Sequence, residues 1–303
     1  MEDSELARLE AEYGDVGAGS WPPVAPRPAR RAWVAALLSL LVPGLGQVYN
    51  GDLRRGMRLW SLLIALFVVP AWLGALDHFA GLVLVTLTAI GVLLYTVLDA
   101  WRGGRRAGRF DSPFWHRVWV YVGIVLFSVV VVAPGVRWVL PIRTYSIPSG
   151  SMQPALVPGD HLVARVRGAG LEEVERGDIV ILRSPEDPAV EIVERIVGLP
   201  GEELDIRDKV VFIDGEPLDE RAYVRLADST LYPDSPALPD PMLRRDQFGP
   251  FVVPEGAVFV MGDNRDQSYD SRFIGPVPLS NLRGRPLYIY WSPDRSRIGR
   301  RLD

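Results

Sequence analysis

The apolar residues of this chain are concentrated in its first half, and this distribution limits the folds that are open to it. Residues 59–76, 79–98 and 118–140 are apolar enough to cross a bilayer, for which a helix needs about 20 residues. Within a bilayer, a helix satisfies all of its backbone hydrogen bonds inside one segment. We therefore predict three spanning helices within a membrane region at residues 32–141.

A fourth apolar stretch, residues 33–48, contains Pro43 and Gly44, which break a helix and let the chain turn back. It has two interpretations, a re-entrant or interfacial segment and a fourth span. Arginines, which mark cytoplasmic flanks, cluster before residue 33, at residues 54–58 and at residues 102–117. Three crossings place all three clusters in the cytoplasm, whereas a fourth would place residues 54–58 outside. This bias favours three crossings.

The same topology assigns the flanking segments. Residues 1–31 are polar and have no small-residue cleavage site after a short apolar core, so we expect a cytoplasmic tail. The last span then delivers the remaining chain to the other side. We expect a multi-pass protein of the cytoplasmic (inner) membrane whose second domain is extracytoplasmic, on the periplasmic side.

From residue 142 to residue 303 the chain has short runs rich in β-branched and aromatic residues, separated by turn residues. These runs are residues 161–166, 178–182, 190–197, 210–213, 258–261 and 286–291. Residues 226–250, with repeated Pro and Asp, predict a long surface loop. The predicted fold class is an N-terminal transmembrane α-helical region followed by a mostly-β domain, a folded-over sheet or barrel.

Composition excludes several kinds of site. The net charge is −4 and the arginines lie beside apolar segments, so no basic face predicts a nucleic-acid partner. The chain has no cysteine, which excludes disulfides and thiolate metal sites. No spacing of His, Asp and Glu predicts a metal site either.

Two polar blocks carry the candidate chemistry. Residues 146–154 read SIPSGSMQP and follow the last apolar stretch, and residues 262–272 read GDNRDQSYDSR. The second block holds more Asp, Asn and Arg than a turn needs, which predicts a buried hydrogen-bond network. A serine becomes a nucleophile when a base takes its proton and fixed donors receive the oxyanion. Gly150 permits a close backbone approach, so that the amide of Ser151 can point at such an oxyanion.

These blocks resemble bacterial type I signal peptidases (leader peptidases), which are serine proteases with a Ser/Lys site. The strings RGDIV at residues 176–180 and RIVGLPG at residues 195–201 extend the resemblance, which covers residues 145–291. It implies that Ser151 attacks the scissile carbonyl carbon and that Ser149 adds a donor to the oxyanion hole.

The resemblance also assigns roles in the second block. It implies that Ser268 hydrogen-bonds and orients the general base. Asp270 and Arg272 would form an ion pair behind the site. For Asp263, Asn264, Arg265 and Asp266, as for Arg176 and Asp178, we expect a scaffold role.

One residue departs from the family pattern. Where the family has its lysine general base, this chain has Glu194. A carboxylate has an intrinsic pKa of about 4 and is a weaker base than an amine. Burial would raise that pKa, whereas Arg195 and Arg272, if close, would lower it. The sequence leaves open whether Glu194 serves as the base.

Other candidate bases are few. Lys209 is the only lysine of the chain, and its place in a hairpin predicts a solvated lysine at a strand edge. Histidines 78 and 116 flank membrane segments. His161 begins a strand that runs away from Ser151, so we expect no catalytic role for it.

Two functions follow from the resemblance. The first is a membrane-bound serine endopeptidase that removes N-terminal signal peptides from exported preproteins, after small residues in an Ala-x-Ala-like pattern. The second is a catalytically impaired pseudoprotease that binds preproteins or membrane partners, because Glu194 replaces the lysine. The expected partners are signal peptides and the lipid bilayer, near the secretion translocase. No nucleic acid, metal or cofactor is expected.

Overall fold

The computed structural model describes residues 31–106, 118–166, 173–233, 235 and 239–302. The chain forms two compact units, one made of Met1–Trp60 and Leu93–Val125 and the other of Ser61–Val92 and Leu126–Asp303. Most of the predicted tail, the arginines between residues 107 and 117, and His116 lie outside the described residues.

The stretch at residues 33–48 forms two short helices, α1 (Ala32–Leu41) and α2 (Leu45–Tyr49). Between them Gly44 has a φ of +94°, and a Cβ there would lie 2.2 Å from the carbonyl oxygen of Gly56. Only glycine fits this left-handed backbone and close approach. With 10 and 5 residues, neither helix has the length of about 20 residues that crosses a bilayer.

Three longer helices have the length and apolar composition for membrane spans: α3 (Leu53–Trp72), α4 (Phe79–Arg106) and α5 (Val118–Val139). Many of their large apolar side chains are exposed, as lipid-facing side chains are. Both α3 and α4 extend beyond the predicted apolar stretches into arginine-rich sequence. Arginine is a good helix former whose apolar stem can lie along a helix end while its charge reaches water.

The loop between α3 and α4 packs on the β domain within the second unit. Asp77 forms an ion pair with Arg165, and the hydroxyl of Tyr288 donates to the carbonyl oxygen of Leu76 at 2.9 Å. The rings of Phe79 and Tyr288 meet edge-on with centroids 6.0 Å apart. This loop and the β domain therefore lie together.

The β domain contains two antiparallel sheets. Its strands, in chain order, are β1 (Ile142–Ser146), β2 (His161–Arg165), β3 (Ile179–Arg183), β4 (Glu191–Gly198), β5 (Glu203–Arg207), β6 (Val210–Ile213), β7 (Glu216–Pro217), β8 (Phe248–Val252), β9 (Ala257–Met261), β10 (Val277–Pro278) and β11 (Leu282–Trp291). The larger sheet has the order β1-β2-β11-β3-β4-β9-β10, and the smaller has the order β7-β6-β5-β8.

Two apolar clusters of this domain position the site. One packs Leu204 and Val211 of the small sheet against Val197 and Phe259 of the large sheet, so that β4 and β9 are held from one side. The other places residues of the β1–β2 loop on the large sheet, with Met152 among its buried members. The serine block is thus anchored by its own apolar residues.

The six predicted runs correspond to β2, β3, β4, β6, β9 and β11, while β1, β5 and β8 were not predicted. In β5 three of five residues are charged, although Leu204 and Ile206 are buried. The predicted loop at residues 226–250 contains a short helix, α6 (Asp240–Asp246), and the start of β8. Gly249 and Pro250 make this strand difficult to predict from the sequence, because both residues are rare in strands.

Candidate active site

The loop between β1 and β2 carries the serine block and is closed at its base. The backbone N–H of Ile147 donates to Asp160 O at 2.9 Å, and that of Gly159 donates to Ile147 O at 2.8 Å. Above this closure, the hydroxyl oxygens of Ser149 and Ser151 lie 3.4 Å apart. The structure thus brings together the predicted nucleophile and the predicted oxyanion-hole hydroxyl.

The second polar block contacts the serine loop directly. The backbone N–H of Asn264 donates to Ser151 O at 2.8 Å, and its side-chain Nδ2 donates to Gly150 O at 3.0 Å. Asn264 is completely buried. The residue expected to be only scaffold therefore fixes the peptide bond before the candidate nucleophile and the peptide bond after it.

Gly262 explains how the two blocks come so close. A Cβ at this position would lie 2.5 Å from both Cβ and Oγ of Ser268, and 2.7 Å from the carbonyl oxygen of Ser151. No other residue fits without displacing the backbone. Ser268 therefore lies beside the Ser151 backbone, separated from it by Gly262.

Asp270 and Arg272 form the ion pair that the resemblance implied. Arg272 Nε and Nη2 each donate to a carboxylate oxygen of Asp270 at 2.9 Å, and both side chains are at most 1% exposed. Asp270 caps helix α7 (Ser271–Ile274) and also accepts from the backbone N–H of Gly262 at 3.1 Å. The pair fixes the turn behind Gly262, and its remaining donors bind the carbonyl oxygens of Arg245 and Arg265.

Glu194 lies in β4 opposite Val180 of β3 and is 4% exposed. Burial and the nearby carboxylates of Asp270 and Asp263 raise its pKa well above the usual value of 4.5, although Arg272 lowers it in part. The sequence left the balance of these effects open, and desolvation prevails. A buried carboxyl of this kind stays protonated at a higher pH than an exposed one.

The sequence suggested that Arg195, if close, would lower the pKa of Glu194, but Arg195 does not contribute to this balance of charges. Consecutive strand residues point to opposite faces. Arg195 donates to both carboxylate oxygens of Asp263, at 2.7 and 2.8 Å, and to Gly177 O at 2.6 Å. Its guanidinium also stacks over the ring of Tyr223, 4.2 Å from the centroid.

Of the buried oxygens at the site that have no hydrogen-bond partner among the described residues, two belong to residues with predicted roles in catalysis. They are Oε2 of Glu194 and Oγ of Ser268. Buried polar atoms are normally satisfied, and leaving one unpaired costs about 1–3 kcal/mol. Each of these groups therefore retains the capacity to bind a substrate atom, water or the other group.

A cavity of about 440 Å³ lies beside Glu194 and the serine loop, and Ser268 is not among its lining residues. Ser149, Ser151 and Glu194 line it, and most of its other lining residues are apolar, including Ile147, Met152, Ile181 and Val193. Two larger cavities, of about 1030 and 690 Å³, are lined by neither Ser151 nor Glu194. We identify the cavity of about 440 Å³ as the candidate active site because Ser149, Ser151 and Glu194 line it, although it is smaller than the other two.

The prediction for Lys209 is wrong, because this lysine is buried. Its side chain is 4% exposed, its Nζ lies 2.8 Å from Asp266 Oδ1, and it donates to Asp228 O at 2.7 Å. These acceptors neutralise the ammonium and make burial tolerable. The lysine lines a cavity away from Ser151 and is fully engaged in these contacts.

Neither described histidine reaches the candidate site. The ring of His161 meets Trp291 and Tyr290 edge-on, with centroids 5.1 and 5.9 Å away. His78 contacts Arg301 beside the α3–α4 loop. Among the described residues, no group of three His, Asp or Glu side chains has the arrangement of a metal site.

Sequence reasoning missed two residues of this site. Gly262 and Asn264 determine how the blocks meet, and the resemblance had placed both inside the second block without a role at the serine. A glycine that directly follows an apolar strand was the available signal, since such a glycine often marks a close backbone approach.

Comparison with known proteins agrees with the resemblance. Residues 118–291 match the protein family described as signal peptidase, peptidase S26. The probable signal peptidase I-2 of Synechocystis sp. is 32% identical over 185 residues, 59% of this chain and 77% of the relative. Signal peptidase I of Pseudomonas fluorescens is 30% identical over 201 residues, 52% of this chain and 71% of the relative. A crystal structure of a signal peptidase I from Enterococcus faecalis V583 aligns at 32% identity over 37% of this chain and 96% of that chain, with a TM-score of 0.29.

Proposed function

Because the chain belongs to the signal peptidase (peptidase S26) family, we propose that it is a membrane-bound serine endopeptidase that removes N-terminal signal peptides from exported preproteins. One observation carries the proposal for this chain. Ser149, Ser151 and Glu194 line one mostly apolar cavity, and the two hydroxyl oxygens are 3.4 Å apart.

In the proposed reaction, the ionised carboxylate of Glu194 takes the proton of Ser151 Oγ as this oxygen bonds to the scissile carbonyl carbon. The backbone N–H of Ser151 and the hydroxyl of Ser149 donate to the oxyanion. When the C–N bond breaks, Glu194 returns the proton to the leaving amine and an acyl ester remains on Ser151. Water, deprotonated by the same carboxylate, then bonds to the acyl carbon, the bond from this carbon to Ser151 Oγ breaks, and Glu194 returns the proton to Ser151 Oγ.

The environment of Glu194 supports its use as a base. A raised pKa makes the carboxylate more basic and brings its titration nearer to neutral pH, where general-base catalysis is efficient. Arg272 opposes part of the increase in the pKa by favouring the ionised form. The structure shows no hydrogen bond from Ser268 Oγ to Glu194, and in the proposed reaction this hydroxyl, which has no other partner among the described residues, donates to the ionised carboxylate and orients it. Asp270 and Arg272 hold the turn that carries Ser268.

The same burial also favours the second function, a pseudoprotease. A protonated Glu194 cannot accept the proton of Ser151, yet it can donate a hydrogen bond to a carbonyl oxygen of a bound peptide. In this form the cavity would hold a preprotein or a membrane partner without cleaving it. Activity therefore depends on how far Glu194 ionises at the working pH.

The cavity lining supports a choice of substrate. Ile147, Met152, Ile181 and Val193 offer apolar contacts and leave about 440 Å³ in total, which suits an extended peptide with small side chains. We propose cleavage after small residues in an Ala-x-Ala-like pattern. We propose that the enzyme acts near the secretion translocase, because preproteins reach such a site as they leave the membrane.

The helices support a multi-pass protein of the cytoplasmic membrane. With the arginines near α3 and at the end of α4 on the cytoplasmic side, the α3–α4 loop is extracytoplasmic. That loop contacts the β domain through Asp77 and Arg165. The β domain is then extracytoplasmic too, and α1 and α2 stay on the cytoplasmic side without crossing.

We assign the domains accordingly. Residues 1–31 are a cytoplasmic tail and residues 32–141 are the membrane region, with three crossings by α3, α4 and α5. Residues 142–303 are the peptidase domain. The break at Gly44 supports a non-spanning α1 and α2.

The proposal is tested with the full chain in detergent and a preprotein substrate. We expect the native protein to release the mature product and Ser151→Ala to release none. Ser280→Ala, which alters an exposed serine, is the matched control and should leave cleavage unchanged. Binding of the preprotein without cleavage by the native protein, at every pH at which it stays folded, would support the pseudoprotease instead.

A further inference from the structure

A second polar cavity lies in the first unit, outside the residues that match the family. Its volume is about 430 Å³, and its lining includes Gln47, Asn50, Asp52, Asp99 and three arginines, Arg55, Arg102 and Arg106. The family match begins at residue 118. Nothing in the proposed cleavage reaction uses these residues.

The helices that form the wall of this cavity pack closely against each other at two glycines. A Cβ on Gly46 of α2 would lie 2.0 Å from Ala35 O and 2.8 Å from the Cβ of Ala100. A Cβ on Gly103 of α4 would lie 2.8 Å from Asn50 Nδ2. These contacts hold α1, α2 and the end of α4 together at backbone distance, so the cavity does not depend on mobile loops.

Buried hydrogen bonds organise its inner part. Gln47, which is 2% exposed, accepts from Ser39 Oγ at 3.1 Å and donates to Thr96 O at 2.9 Å and Asp99 Oδ2 at 3.0 Å. Asn50 Nδ2 donates to Ala100 O at 2.7 Å. Asn50 Oδ1 is buried and has no partner among the described residues. A ligand with a hydroxyl or amine donor would satisfy it.

The charges at the cavity do not cancel. Asp99 pairs with Arg55 at 2.7 Å, and Asp52 Oδ1 accepts the backbone N–H of Arg55 at 3.0 Å. Arg102 and Arg106 are exposed and have no ion pair within the described part of the chain. Three arginines and two aspartates leave one net positive charge, which matches the single negative charge of a phosphodiester.

With α3 and α4 crossing the bilayer as proposed above, on which this inference rests, the cavity lies at the depth of lipid headgroups. It is formed where α3 begins, at Leu53, and where α4 ends, at Arg106. The ends of membrane-spanning helices lie at the headgroup level, and arginines there attract anionic lipids. A soluble ligand would gain no advantage from this position.

We propose that this cavity binds the headgroup of an anionic phospholipid with a hydroxylated headgroup, such as phosphatidylglycerol. The phosphodiester lies between Arg102 and Arg106, and a headgroup hydroxyl donates to Asn50 Oδ1. Because a zwitterionic headgroup carries no net charge, phosphatidylcholine would leave the positive charge uncompensated, and it lacks the hydroxyl donor.

The test uses the full chain, delipidated in detergent, with binding read by native mass spectrometry and by the shift of the melting temperature. The probes are phosphatidylglycerol, phosphatidylcholine and inorganic phosphate. We expect retention of one phosphatidylglycerol and about 30-fold weaker binding by Arg102→Gln/Arg106→Gln, at about 1 kcal/mol for each arginine.

Arg105→Gln is the matched control, because Arg105 stacks on Trp101, 4.4 Å from the ring centroid, and does not line the cavity. It should bind phosphatidylglycerol like the native protein. An equal loss in this control would overturn the proposal in favour of a general basic belt. Equal binding of phosphatidylcholine, or binding of inorganic phosphate with the same dependence on Arg102 and Arg106, would also overturn it. The single variants Arg102→Gln and Arg106→Gln, each expected to bind about 5-fold more weakly, replace the double variant if it does not fold.

Discussion

Asn264 binds the peptide bonds on both sides of Ser151, through its Nδ2 to Gly150 O at 3.0 Å and its backbone N–H to Ser151 O at 2.8 Å, and the first of these contacts holds the bond that precedes Ser151. This bond carries the N–H that is proposed to face the oxyanion. A fixed donor stabilises the transition state without reorganisation, so the orientation of this peptide matters for the rate. The first prediction follows from that contact.

Asn264→Ala removes the side-chain bonds to Gly150 O and to Gln267 Oε1, at 3.0 and 3.1 Å, and leaves the backbone bond to Ser151 O. We expect kcat to fall by about 10²-fold because the peptide can tilt, and stability to fall by about 1–2 kcal/mol. Single-turnover cleavage and chemical unfolding measure the two effects. Asn281→Ala removes a similar bond, Nδ2 to Arg183 O at 3.1 Å, far from the serine loop and serves as control. An unchanged kcat in Asn264→Ala would refute this positioning role.

Ser149→Ala tests the proposed oxyanion donor. We expect kcat to fall by about 10²–10³-fold with KM nearly unchanged, because the hydroxyl would act on the transition state. Steady-state kinetics with a signal-peptide substrate separate the two constants, and Ser280→Ala is the control. A raised KM at constant kcat would mean that Ser149 contributes only ground-state binding.

Glu194→Lys tests the departure from the family pattern. We expect Ser151-dependent cleavage to rise, because a buried lysine with a lowered pKa is the base for which the family site is arranged. The substitution also removes the carboxylate near Arg272 and adds a buried cation, so the melting temperature should fall. Single-turnover rates and melting curves for the native protein, Glu194→Lys and Glu194→Gln separate catalysis from stability. If the native protein exceeds both variants, the site has adapted to a carboxylate and this prediction fails.

The raised pKa of Glu194 also predicts how stability depends on pH. Between 4.5, the usual pKa, and the higher pKa in the fold, the folded protein binds a proton that the unfolded chain has released. The stabilising contribution is therefore complete below the unfolded pKa and is lost as pH rises through the folded pKa. We expect native stability to decline relative to Glu194→Gln by about 1.4 kcal/mol per pH unit in this window.

Urea unfolding at several pH values checks this expectation. Glu255→Gln, at an exposed glutamate, controls for the loss of one carboxylate. A constant difference between the native protein and Glu194→Gln across the window would show that Glu194 titrates as it does in the unfolded chain.

Protease accessibility tests the proposed topology. In intact spheroplasts, the residues before Arg27 and the segment at residues 102–117 should resist external protease, because the proposed topology places both in the cytoplasm. The domain after residue 142 should be digested. Cleavage at residues 102–117 with a protected β domain would reverse the orientation and exclude exported preproteins as substrates.

Local pattern predicted the parts of this fold that depend on neighbouring residues in the chain. The strands β2, β3, β6 and β9 are short apolar runs, and their burial required no knowledge of distant partners. The strand β5 was not predicted because its two buried residues alternate with the charged residues Glu203, Asp205 and Arg207. The segment forms a strand because it pairs with β6 and β8, and this pairing cannot be inferred from the local sequence.

The same limit applied at the site. The serine block and the second block were recognisable, but the burial of Lys209 depends on Asp266, 57 positions away in the sequence. The balance of charges around Glu194 likewise depends on Arg272 and Asp270, which reach it only through the fold. Desolvation is a property of the assembled interior, so its dominance over these charges was not predictable from residue types.

The contact between the α3–α4 loop and the β domain has a mechanical consequence. A rigid body attached at one flexible point can pivot in every direction, whereas a body attached at two points can turn only about the line that joins them. The peptidase domain is attached once through the chain at Leu140 and again where Tyr288 and Arg165 bind Leu76 and Asp77. The two attachments therefore leave the β domain less freedom relative to the α3–α4 loop than the single connection at Leu140 would leave it.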